Sequence, residues 1–159
     1  RRFFLSGNPQ LLVISLVGIY DTNYVSQFKR THEFNNDDFR IVSSVIKPFG
    51  RIVTTPHILS ELSNLSLEID KGRIADYFQC LISFLTNCQE EFVNKDDILK
   101  HPILSKLGVT DLSILETTTK NNFLVFTKDF ELAGYLAKSG CDVINFNHLR
   151  QMAWYASKH

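Results

Sequence analysis

Hydrophobic positions recur along the chain at two spacings. Phe3-Phe4-Leu5 is a short β-prone run stopped by Ser6-Gly7-Asn8-Pro9. Pro9 suits the first turn of a helix, so Leu11 to Ile19 is predicted as a mostly buried helix. Asn35-Asn36-Asp37-Asp38 is a helix-start signal, and Phe39, Val42, Ile46 and Phe49 follow at helical spacing until Pro48-Phe49-Gly50 closes the element. Arg51 to Thr54 reads as a strand. Thr55 is then an N-cap with Pro56 at the first helical position, and Leu59, Leu62 and Leu65 supply one face. Lys71-Gly72 breaks the chain before an amphipathic helix marked by Ile74, Phe78, Leu81, Ile82 and Leu85. Residues 87–107 are polar and irregular and are predicted as a connection with short helical turns. Gly108-Val109-Thr110 leads into a helix with Leu112 and Leu115 on one face. Phe123 to Thr127 is the clearest strand, Phe130 to Ser139 a helix closed by Gly140, and Val143 to Phe146 a last strand before a C-terminal helix.

Strands separated by helices predict an α/β fold with right-handed crossovers and a parallel sheet of about four or five strands, covered on both faces. The expected architecture is a three-layer α/β/α arrangement in which residues 1–159 form one domain. Composition agrees: 44% hydrophobic, 21% charged and 13 Phe provide for a sizeable core. Lys plus Arg and Asp plus Glu both number 17, so formal net charge is zero. A protein that coats nucleic acid would be basic, which confines any such contact to a local site. The three cysteines form no CxxC pair, against a zinc ribbon or a disulfide framework. Leu11 to Tyr20 is about half the length of a membrane span. The opening Arg1-Arg2 and apolar run mimic a signal peptide, but the run is interrupted and no small-x-small site follows. A cytoplasmic protein with reduced cysteines and no membrane association is the expectation.

The chemistry lies beside the strand ends, where sheets of this kind bind ligands. Glu61 stands in the second turn of the helix after the 51–54 strand. Asp111 stands at a helix N-terminus before the 123–127 strand, and Asp129 directly after it. Clustered carboxylates repel, so a site that keeps them ionised calls for a cation such as Mg²⁺ or Mn²⁺. Such an ion activates water and neutralises phosphodiester charge. Taken singly, Glu61 reads equally well as a surface acid, and Asp111 and Asp129 as helix-dipole partners or caps. Asp37-Asp38, Glu90-Glu91 and Asp96-Asp97 have no strand end beside them and read as solvated helix starts and loop. His57 reads as surface, and Trp154-Tyr155 as core or a dimer patch.

The ordered set TTPHILSELSNL, LGVTDLSIL and FLVFTKDFELAGYLAKSGCDVINF resembles the PIN-domain family of metal-dependent nucleases. The resemblance covers essentially the whole chain in element order. It implies an RNA-cleaving hydrolase in which Glu61, Asp111 and Asp129 hold Mg²⁺ or Mn²⁺ and Thr127 braces the site through its hydroxyl. It also implies a toxin-like setting, with a small antitoxin-like partner and a homodimer. The family's first acid follows the first strand in a pattern like Asp-x-Asn. Here Ser6-Gly7-Asn8 follows Phe3 to Leu5, so Asn8 fits and Ser6 replaces the acid. Asp21-Thr22-Asn23 has the right letters, but using it turns residues 11–20 into the first strand. The Ser6 register is preferred, and it implies a weakened enzyme or, as the alternative, a PIN-fold interaction module whose site has decayed. A phosphatase or receiver-like domain also gathers acids at strand ends, with Lys128 available, but leaves Glu61 without a role.

Overall fold

The computed structural model describes Leu12–Ile14 and residues 35–158 apart from Asp70. In chain order the elements are β1 (Leu12–Ile14), α1 (Asn36–Ile46), β2 (Ile52–Thr54), α2 (Pro56–Leu65), two 3₁₀ turns (Ser66–Glu68 and Lys71–Arg73), α3 (Ile74–Leu85), β3 (Cys88–Glu90), α4 (Lys95–Leu99), α5 (Leu104–Asn121), β4 (Leu124–Thr127), α6 (Phe130–Lys138), β5 (Val143–Asn145) and α7 (Phe146–Ala156). The protein is mixed α/β and mostly helical. Among the described residues five short strands pair in parallel in the order β3-β2-β1-β4-β5.

Parallel pairing follows from the connections, since each strand is reached through at least one helix. Successive side chains on a strand face opposite ways, and the apolar residues sort accordingly. Val53 and Val125 join Ile58, Leu62, Leu112, Leu115, Leu132 and Leu136 of α2, α5 and α6 in one core cluster. Ile52, Leu124 and Phe126 join Val42 of α1 and Phe146 of α7 in another, where the Phe126 and Phe146 rings lie 6.2 Å apart.

The helix starts form as their sequences dictate. Asn35 caps α1 in a capping box with Asp38, and Thr55 caps α2 with Pro56 in its first turn. Gly140 takes φ +76° past the end of α6, a conformation that side chains disfavour.

Several expectations are corrected. Leu12–Ile14, predicted inside a buried helix, is instead a strand between β2 and β4. Its apolar run is too short to separate strand from helix by periodicity. Phe3 to Leu5, the predicted first strand, lies outside the described residues. The segment 87–107, predicted as an irregular connection, carries β3 at the sheet edge, where Cys88, Gln89 and Glu90 pair with β2 in spite of their polarity. Asp38 is not solvated: it is 2% exposed and paired with Arg150 of α7. Asp97 is likewise engaged, by Lys100 at 2.8 Å and Lys120 at 2.7 Å, and these bonds hold its carboxyl down at about 2. Trp154 and Tyr155 are exposed, which removes the core reading for both. Among the described residues no helix is long and apolar enough to cross a membrane.

Candidate carboxylate site

The turn that leaves β4 is fixed atom by atom. Thr127, the last residue of the strand, is fully buried, and its Oγ1 accepts the backbone N–H of Asp129 at 3.1 Å. Asp129 caps α6: its Oδ1 accepts the N–H groups of Glu131 at 2.7 Å and Leu132 at 3.0 Å. Asn145, at the end of β5, donates from Nδ2 to the Asp129 carbonyl at 3.3 Å, and Asn147 donates to the Lys128 carbonyl at 2.9 Å. Capping uses one carboxylate oxygen only; Oδ2 of Asp129 has no hydrogen bond among the described residues. The helix-cap role and a ligand role are therefore compatible in this one side chain.

Asp111 is placed by a break in α5. Gly108 has φ 81° and ψ 175°, outside the helical region and open essentially to glycine alone. Helix resumes at Val109, which puts Asp111 in the first turn of the second run. Ser113 then donates to the Thr110 carbonyl at 2.7 Å and meets Thr55 Oγ1 at 3.0 Å. The Ser113 proton is committed to Thr110, so Thr55 supplies the proton between the two hydroxyls while accepting the Ile58 N–H at 3.3 Å. This buried link pins the start of α2, which carries Glu61, to the turn that carries Asp111.

Electrostatics unites the acids. Asp111 is partly buried and engages in no hydrogen bond or ion pair among the described residues. Burial first, and then the charges of Asp129, Glu61 and Glu131, push its carboxyl up to about 6. Glu61, Asp111 and Asp129 thus share one neighbourhood beside the carboxyl ends of β2 and β4, with Thr127 beneath the turn. Glu61 and Asp129 are exposed.

Glu131 is the acid that the sequence reading missed. The signal is Asp129-Phe130-Glu131, where the second acid reads as one more dipole partner in the first turn of α6. Lys106, ahead of the Gly108 break, pairs with Glu131 at 3.0 Å and lies 5.3 Å from the Tyr135 ring centre. His57, predicted as surface, is partly buried, and its Nδ1 has no hydrogen-bond partner among the described residues. Ser6, Asn8 and Asp21 lie outside the described residues.

Among the described residues, no group of three His, Cys, Asp or Glu side chains stands close enough to hold a metal ion together. The donor set nonetheless suits a hard cation: every candidate is a carboxylate oxygen, and Asp111 carries a partly buried negative charge with no counter-ion among the described residues.

No family model matches the chain, and no curated protein matches it. Among solved structures, the chain is similar to a domain of a functionally unknown protein from Methanocaldococcus jannaschii DSM 2661, at 16% identity and a TM-score of 0.44, over 86% of this chain and 90% of that one.

Proposed function

We propose that this chain is a PIN-like, three-layer α/β/α endoribonuclease that hydrolyses RNA phosphodiesters with Mg²⁺ or Mn²⁺. The observation that carries the reading is that the charges of Glu61, Asp129 and Glu131 act on the partly buried Asp111, which has no ion-pair partner among the described residues. Glu61, Asp111 and Asp129 would hold the cation in part through its bound waters, which Mg²⁺ gives up reluctantly. When bound, it polarises a water and offsets charge on the phosphoryl group. The chain itself supplies the placement. Thr127 and the two Asn side chains fix the Asp129 turn, and the Thr55–Ser113 link fixes Glu61 against Asp111. The toxin-like setting, with a small antitoxin-like partner, a homodimer and a cytoplasmic location, rests on the family resemblance.

We assign the first acid to Asp21. The chain reaches Asp21 after leaving β1 at Ile14, whereas Ser6 and Asn8 precede that strand. On this assignment the enzyme is not weakened by Ser6. Asp21→Asn should lower cleavage of a single-stranded RNA by about 100-fold or more, and Ser6→Asp should leave it unchanged. A gain of cleavage in Ser6→Asp, with Asp21→Asn neutral, would restore the Ser6 register.

The second reading, a decayed interaction module, is favoured by the absence of three closely set carboxylates among the described residues. A Mn²⁺ titration separates the two. A cation held by the folded chain at 100 times its Kd adds about 2.7 kcal/mol, which raises the melting temperature by about 5 °C or more. A melting temperature indifferent to millimolar Mn²⁺, with no cleavage, assigns the chain to the module.

A further inference from the structure

Phe130 is the first residue of α6 and follows Asp129 directly, yet the residue is 61% exposed. An exposed phenyl ring is ordinary when it stands alone. This one does not. His148, also exposed, comes from the first turn of α7, and the two ring centres lie 5.8 Å apart at an interplanar angle of 59°. His148 makes no hydrogen bond or ion pair among the described residues, so its ring is engaged only by this contact. Both helix starts are held by side-chain caps: Asp129 caps α6, and Asn145 accepts the Asn147 N–H at 2.9 Å to cap α7. Asn147 also bonds the Lys128 carbonyl and so ties the two starts to each other. The ring pair is therefore presented by ordered backbone, which keeps down the entropy lost on binding a third ring.

We infer that the Phe130–His148 pair is a stacking platform for one nucleobase of a single-stranded RNA bound at the carboxylate site. The inference rests on the nuclease reading only for the identity of the neighbouring site. Charge favours a base over a second phosphate here. Asp129 precedes Phe130 directly and forms no ion pair among the described residues, and a carboxylate without a cation repels a phosphate, whereas a neutral base meets no such penalty. Phe130 and Asp129 are consecutive, about 3.8 Å apart at Cα, so a base on the ring and its adjoining phosphodiester at the carboxylates are within reach together. Bases in a duplex are stacked inside it and closed to such a contact, so the platform selects unpaired RNA.

The test uses the full chain and a short single-stranded RNA carrying one fluorescent purine analogue, with binding read by anisotropy and stacking by quenching. Wild type should quench the analogue. Phe130→Ala should abolish the quenching and weaken binding by about 5- to 150-fold, the range for one base–aromatic contact. Phe130→Trp should keep both signals, and its retained fold makes it the control for a purely structural effect. A duplex of the same sequence should bind more weakly than the single strand. Equal binding and quenching in wild type and Phe130→Ala overturns the platform, as does a wild type that binds no RNA. A Phe130→Ala variant that binds RNA normally but changes oligomeric state assigns the rings to a protein contact, which also overturns it. The nuclease reading fails separately: Phe130-dependent quenching without metal-dependent cleavage keeps the platform and removes the enzyme.

Discussion

Asp111→Asn should make the protein more stable and, at the same time, inactive. At pH 7 the Asp111 carboxylate is ionised in the fold, although burial and the charges of Asp129, Glu61 and Glu131 disfavour that form. In the unfolded chain the group titrates at 3.8, and in the fold at about 6. Above pH 6 it is charged in both states, and the fold carries the whole cost. As pH falls from 7 through 6 toward 4, the folded state takes up the proton first and the cost is relieved. Below 3.8 both states are protonated and nothing more is gained. A tenfold difference in proton affinity between fold and unfolded chain is worth about 1.4 kcal/mol; discounted for the solvent that reaches the group, the relief is about 1–2 kcal/mol. Urea unfolding of the metal-free protein should therefore show stability rising between pH 7 and pH 5. Asp111→Asn should be more stable than wild type at pH 7 by the same amount and should flatten that profile. If Asp111 is a ligand, the same change should lower cleavage by about 100-fold or more. A variant that loses stability and activity together would instead mark Asp111 as a structural residue.

The places of these acids in the fold were legible in sequence, and the bonds that hold them there were not. Glu61, Asp111 and Asp129 fall beside strand and helix ends that propensity and capping specify locally. Pro56 after Thr55, the Gly108 break and Asp129 before an apolar helix are all short-range signals. The strand-end position of Thr127 follows from the run Phe123 to Phe126 in the same way. What escaped depends on partners distant in sequence. The Thr55–Ser113 bond spans 58 residues, and each serine or threonine alone reads as a cap or a turn. The hold on the Asp129 turn comes from Asn145 and Asn147, at a helix start whose own cap hides their second role. β1 escaped because a central strand of a parallel sheet is apolar in sequence without alternation, so Leu12–Ile14 reads equally as part of a helix started by Pro9. β3 escaped for the opposite reason, its residues being polar at a sheet edge.

Arg150→Met should cost the fold about 2–3 kcal/mol, more than any surface substitution. Asp38 is 2% exposed, and its carboxylate accepts Arg150 Nε at Oδ1 at 2.8 Å and Arg150 Nη2 at Oδ2, a two-pronged pair. Oδ2 also accepts the Asn35 N–H at 2.9 Å, the second half of the box that starts α1. Methionine keeps much of the apolar stem but leaves a buried carboxylate with, among the described residues, the Asn35 N–H as its one donor and no cation. Breaking a fully buried pair costs about 3–5 kcal/mol; the Arg150 side chain is 35% exposed, and water there reduces the penalty. Asp38→Asn in the Arg150→Met background removes the stranded charge while retaining an acceptor for Asn35, so the double variant should recover about 1 kcal/mol of the loss or more. The consequence extends to the carboxylate site. Arg150 lies on α7, whose start carries Asn145 and Asn147 against the Lys128–Asp129 turn, so freeing α7 from α1 loosens the support of Asp129. Hydrogen exchange at the Asp129 and Glu131 amides should therefore speed up in Arg150→Met and stay fast in the double variant, which removes the stranded charge but restores no tie between α7 and α1. A loss below about 0.5 kcal/mol, the size of an exposed pair, would mean that Asp38 serves α1 as a cap alone.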